Sequence, residues 1–92
     1  MKFYYPAVFK KETDGSFSVT FPDLSGCSAT GEDYEHALAN AKEAEINWLT
    51  VEVFEEMNQP PYVSDVSEIR AGENEKIQLV AVNIRFMEGW DE

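Results

Sequence analysis

The chain has 92 residues with 43% hydrophobic and 13% aromatic content, enough for one domain with its own core and too apolar for intrinsic disorder. Eighteen acidic residues against seven basic ones give a net charge of −11, which repels phosphate backbones, so direct nucleic-acid binding is not expected. A single cysteine and a single histidine exclude an internal disulfide and any structural zinc site built from those two residue types alone.

The lone cysteine favours a reducing compartment. No apolar run approaches the ~18 residues of a spanning helix, so no membrane association is expected. The opening MKFYYPAVFKKE is too short in its apolar part and too aromatic for an export signal. The expected location is therefore cytoplasmic. An acidic surface keeps a small protein soluble, and it also attracts a basic partner and speeds the encounter.

Phe3 to Lys11 reads as a strand, with Phe3, Tyr5, Ala7 and Phe9 on one face and Tyr4 and Val8 on the other. Pro6 offers no N–H, which assigns it to an edge, a strand start or a bulge. Asp14-Gly15 between two apolar runs marks a hairpin. In SFSVTF, Phe17, Val19 and Phe21 alternate with Ser16, Ser18 and Thr20, the pattern of a half-buried strand. Pro22-Asp23 stops it. CSAT forms a short third strand, closed by Gly31.

Asp33 fits a helix N-cap, with His36 at the position where a Glu would complete a capping box. The helix is expected to run from Tyr34 toward Met57, about 36 Å if unbroken. Tyr34, Ala37, Leu38, Ala41, Ala44 and Trp48 would form its buried face, continued by Val51. Val51, Val53 and Phe54 lower the helical propensity of the last turns. The opposite face is assigned Glu35, Glu43, Glu45, Glu52, Glu55 and Glu56 against Lys42 alone. That imbalance marks either a solvated face or a contact with a basic protein. Pro60-Pro61 ends the helix. Residues 58–75 read as loop, with a turn near SDVSEI. In EKIQLVAVNIRF both faces are apolar, so this strand is expected to be covered on both sides or central in the sheet. The Trp in the closing MEGWDE either folds back over a sheet edge or anchors a partner. The order is β-β-β-α-β, an α+β fold with one long helix on one sheet face.

The stretch FPDLSGCSATGE places Cys27 near Asp23, Glu32 and Asp33, which would raise a thiol pKa rather than activate it. A small buried cysteine where a strand begins is the better reading. Positions 3–9, 16–21 and 77–86 contain no acid, so no carboxylate cluster projects from the strands to hold catalytic metals. There is no glycine-rich phosphate loop, and no cofactor or metal is expected. The residues describe a small acidic binding domain with no catalytic site.

KFYYPAVF, DGSFSVTFPDLSGCSATGED and HALANAKEAEINWL, in that order, resemble the N-terminal domain of the HicB family of antitoxins, closely over residues 2–50 and more loosely to IQLVAVNI. The resemblance implies a partial RNase-H-like sheet with no antitoxin catalysis. It also implies binding and neutralisation of a small basic HicA-type ribonuclease toxin, and a homo-oligomer, dimer or higher. The chain is expected to be a single HicB-like domain over 1–92, without the C-terminal DNA-binding domain that many family members carry. Ser25 stands where the family usually has Pro, His36 where it has Glu, and Glu45 at a commonly apolar helix position. Glu45 there would either thin the helix–sheet contact or face water. Candidate partner-contacting residues are Glu52, Glu55 and Glu56 at the helix end, and Glu88, Trp90 and Asp91 in the tail. Two other readings are a stand-alone oligomerising regulatory module without a toxin and, on fold analogy alone, a metal-dependent nuclease.

Overall fold

The chain's computed structural model describes residues 2–56 and 59–84. Three strands, β1 (Lys2–Lys11), β2 (Phe17–Thr20) and β3 (Ser28–Gly31), precede one α-helix, α1 (Tyr34–Leu49). A π-helical segment (Thr50–Glu55) extends α1, a 3₁₀ turn covers Val66–Glu68, and β4 (Glu75–Asn83) returns to the sheet. The β-β-β-α-β order read from the sequence is the order observed. The sheet is antiparallel throughout, in the order β3-β2-β1-β4.

The alternating residues of β1 and β2 bury one face as expected. Tyr5, Ala7, Phe9, Val19 and Phe21 join Val80, Val82 and Ile84 beneath α1. The first hairpin closes with Glu12 N–H donating to Ser16 O at 2.8 Å, and Asp14 Oδ1 accepts both the backbone N–H and the hydroxyl of Ser16. FPDLSGC is a compact double turn. Leu24 N–H donates to Phe21 O, Cys27 N–H to Leu24 O and Phe21 N–H to Cys27 O. Gly26 takes the left-handed φ of +82° that this return requires, and Leu24 is driven fully into the core.

Asp33 caps α1 as predicted, its Oδ1 accepting from His36 N–H at 2.8 Å. The helix lies so close to β3 that a Cβ on Gly31 would come within 2.2 Å of Ala37 N. This contact holds β3 against the first turn.

Pro6 sits in an internal strand, away from either end. Lys11 N–H donates to Asn74 O, so odd residues of β1 turn their amides toward β4 and even residues, Pro6 included, turn theirs toward β2. β2 pairing begins only at Val8↔Thr20. Pro6 thus faces the stretch of β1 that β2 does not reach, and no ladder bond is lost.

Three expectations are corrected. Among the described residues β4 pairs with β1 alone, at the edge of the sheet, and Leu79 on its outer face is 47% exposed. Its double-sided apolar pattern therefore does not reflect cover on both sides. Second, α-helical geometry stops at Leu49, and the β-branched run Thr50-Val51-Val53 adopts the wider π turn, closed by Glu56 N–H to Val51 O at 2.8 Å. Third, the line of fully buried helix residues is Ala37, Ala41, Glu45 and Leu49. Steps of four residues drift about 40° each, so the stripe turns away from Val51, which is exposed, and passes through Glu45, which was assigned to the acidic outer face.

Candidate partner-binding surface

The last turns of α1 face the entry to β3 across a groove of about 420 Å³ lined by Gly26, Cys27, Ala44, Trp48, Val51 and Glu52, among others. Trp48 Nε1–H donates to Ser25 O at 2.9 Å, which fixes the indole across the gap between helix and loop. Val51 adds an exposed apolar wall. Glu52 sits on the rim, and Glu55 and Glu56 follow it, both exposed.

These acids stand at the wrong end of a helix. The C-terminal carbonyls already carry partial negative charge, and neither α1 nor the π-helical segment has a basic residue in its last turn. The exposed Glu55 and Glu56 add negative charge to this end of the helix, which suits a cationic partner. Of the sequence-derived candidates, Glu52 lines this groove with Trp48 and Val51, while Glu55 and Glu56 are exposed further along the π-helical end and are not among its lining. Trp48 and Val51 had been read as core because they continue the buried periodicity; their only surface signal was the acidic run that follows them. Glu88, Trp90 and Asp91 lie outside the described residues.

Cys27 is buried, and desolvation, with the Glu45 carboxylate as a second cause, pushes its thiol up to about 11. The thiolate is disfavoured there, and the side chain packs in the core. The negative neighbour is Glu45 from the helix, whereas the sequence pointed to Asp23, Glu32 and Asp33. His36 faces solvent with Nδ1 2.8 Å from Asp33 Oδ1, and this contact raises its pKa and lowers that of Asp33. Glu32, Asp33 and His36 gather within 4.8 Å, all exposed, with Asp33 occupied as the helix cap.

Glu45 is fully buried, and neither carboxylate oxygen has a hydrogen-bond partner. Burial pushes its pKa up to about 8, opposed by Lys42. The same burial, with Asp23 and Glu45 nearby, raises Tyr5, whose hydroxyl donates to Pro61 O at 2.7 Å.

A second cleft, of about 590 Å³, lies at the other end of the helix among Phe9, Phe17, Tyr34, Lys11, Lys76 and Gln78. Tyr34 packs on Phe9 and Phe17 and hydrogen-bonds Gln78. Glu73 and Glu75 offset the lysines there, so no single sign of charge dominates.

Residues 5–89 match the family described as HicB_like antitoxin of bacterial toxin-antitoxin system. The chain belongs to this family. The HicB-like assignment agrees with solved folds. The chain superimposes with a TM-score of 0.76 and 24% identity on a chain of a toxin–antitoxin complex from Streptococcus pneumoniae, over 90% of this chain and 70% of that one. On the N-terminal domain of the Burkholderia pseudomallei antitoxin HicB the values are 0.74 and 24%, over 89% of this chain and 100% of that one. A chain of a HicA3 and HicB3 toxin–antitoxin complex gives 0.64 and 23%, over 84% of this chain and 94% of that one. No curated protein matches the chain. The four-stranded sheet with one helix on one face is thus the HicB N-terminal fold. Among the described residues no helix is long and apolar enough to cross a membrane.

Proposed function

We propose that this HicB-like chain is a non-catalytic antitoxin that binds and neutralises a small basic ribonuclease toxin of the HicA type. In this reading the groove beside Trp48, with Glu52 on its rim, takes part in the contact together with the exposed Glu55 and Glu56 that follow. Family membership over residues 5–89 supports the antitoxin role. The observation that carries the choice of surface is the acidic, apolar-walled groove at a helix C-terminus that has no basic residue of its own. An apolar anchor in such a groove supplies affinity, and the charged rim steers encounter. Two of the structural relatives are toxin–antitoxin complexes, one of them pairing HicA3 with HicB3. Glu88, Trp90 and Asp91 remain proposed contributors, the Trp as a further anchor. Antitoxin action needs only occlusion of the toxin's RNA-binding surface, which agrees with strands free of carboxylates over residues 3–9, 16–21 and 77–84.

The test is co-expression with the product of the adjacent gene, followed by co-purification and an RNA-cleavage assay. A stable complex with cleavage suppressed is the expected result. Glu52→Lys combined with Glu55→Lys should weaken the complex at least tenfold and restore cleavage. Absence of a complex, with cleavage unimpeded by excess of this chain, would overturn the reading in favour of a regulatory module without a toxin.

A further inference from the structure

The connection between α1 and β4 holds two apolar side chains out in solvent. Tyr62 is 77% exposed, well beyond Tyr4 at 48% and Leu79 at 47%, and Val63 beside it is 43% exposed. The backbone on both sides of them is tied down by contacts distant in sequence. The Tyr5 hydroxyl donates to Pro61 O at 2.7 Å, and Ser64 donates its N–H and its hydroxyl to Asp23 at 2.8 and 2.6 Å. Pro60 and Pro61 fix two φ angles just before Tyr62. A loop anchored at Pro61 and again at Ser64 has already given up much of its backbone freedom, so Tyr62 and Val63 are ordered in advance of any contact.

The turn that receives this loop also forms a wall of the groove. Asp23 and Ser25 are two residues apart in FPDLSGC, at most about 7 Å between Cα atoms. Asp23 accepts from Ser64, and Ser25 O accepts from Trp48 Nε1–H at 2.9 Å. Gly26 and Cys27 of the same turn line the groove with Trp48 and Val51. The exposed loop and the groove are therefore fastened to one double turn. Their surroundings carry one sign of charge. From Glu12 to Glu35, which includes the turn, and from Glu43 to Ile69, which includes the loop, the chain has no basic residue. Glu55 and Glu56 precede the loop and Asp65 and Glu68 follow it, all exposed.

We propose that Tyr62 and Val63 are a second apolar anchor, held ready by the ties at Pro61 and Ser64, for the same cationic protein that takes the groove beside Trp48. This rests on the antitoxin reading and extends its contact from the helix end, through the double turn, to the loop before β4. Tyrosine suits the role, since its ring offers a large contact area with few rotatable bonds and is enriched where binding energy concentrates. The acidic surround selects a basic partner, because like charges brought together there oppose association.

The experiment measures association and dissociation rates of the full chain with the purified product of the adjacent gene. Tyr62→Ala should speed dissociation at least tenfold. It should leave the association rate and the urea midpoint unchanged, because so exposed a ring adds little to the fold. Tyr62→Phe, which keeps the ring, should bind like the wild type. Asp23→Ala frees the loop and should itself weaken binding about fivefold. In that background Tyr62→Ala should cost less than in the wild type, since the ring is no longer held out. No complex with the wild type overturns this inference together with the reading it rests on. A wild-type complex that Tyr62→Ala leaves equally tight overturns this inference alone. So does a loss in Tyr62→Phe as large as that in Tyr62→Ala, or an equal cost of Tyr62→Ala in the two backgrounds.

Discussion

Glu45 occupies the central position of the helix face that packs on the sheet, with both oxygens unpartnered. Its pKa rises from 4.5 to about 8 on burial, so the folded chain holds a proton that the unfolded chain releases. Below pH 4.5 both states are protonated and folding carries no charge penalty. From there to about pH 8 stability falls as pH rises, by up to about 1.4 kcal/mol per pH unit, and then levels. Urea unfolding at pH 5 and pH 8 should therefore show a wild-type loss of about 3–4 kcal/mol attributable to this group, absent from Glu45→Leu. Such a variant should also be more stable at pH 8, since it removes a buried carboxylate that finds no partner. The periodicity of the sequence could not place Glu45 inside, because charge at that position reads as surface. Gly31 is a second case. A Cβ there meets the backbone of Ala37 at 2.2 and 2.5 Å, which no rotamer change relieves. Gly31→Ala should cost about 3 kcal/mol, read from the urea midpoint. From sequence this glycine was only the end of a strand.

Among the elements, those set by local pattern were read correctly: β1 and β2 by alternation, the first hairpin by Asp14-Gly15, and the start of α1 by Asp33. Misreadings fell where a neighbour decides. β4 is apolar on both faces yet lies at an edge, because sheet order depends on which strand pairs with β1 and not on any property of β4 itself. The end of α1 was read by extending a face whose drift over four-residue steps carries it past Val51. The connection from helix to β4 is anchored by contacts distant in sequence. Ser64 donates both its N–H, at 2.8 Å, and its hydroxyl, at 2.6 Å, to Asp23, and Tyr5 reaches Pro61. Asp23→Ala should cost about 1–2 kcal/mol. Hydrogen exchange should show Ser64 and its neighbours losing protection while β1 keeps its own, since the tie is local to this loop.

At the scale of the whole molecule, negative charge is uneven. Among the described residues, Glu52, Glu55 and Glu56 gather in the segment that ends the helix, where no basic residue offsets them in the last turn. In the proposed reading a cationic partner meets the groove at this end of the helix. Toxin association through the groove should show a rate that falls steeply as salt rises past ~0.1 M, where the screening length is ~10 Å. Glu55→Lys with Glu56→Lys should flatten that dependence in stopped-flow measurements.

The family and the element order followed from the residues in sequence. Alternation, turn chemistry and the ordered motifs around FPDLSGC are local signals and need no neighbour to interpret them. Packing alone revealed that Glu45 is buried, that Trp48 and Val51 line a groove with Glu52, that Pro6 faces a gap in the ladder, and that β4 lies beside β1 at the end of the strand order. Each of these depends on which distant segment lies alongside. Burial and pairing are properties of two surfaces in contact, and a linear pattern describes only one of them.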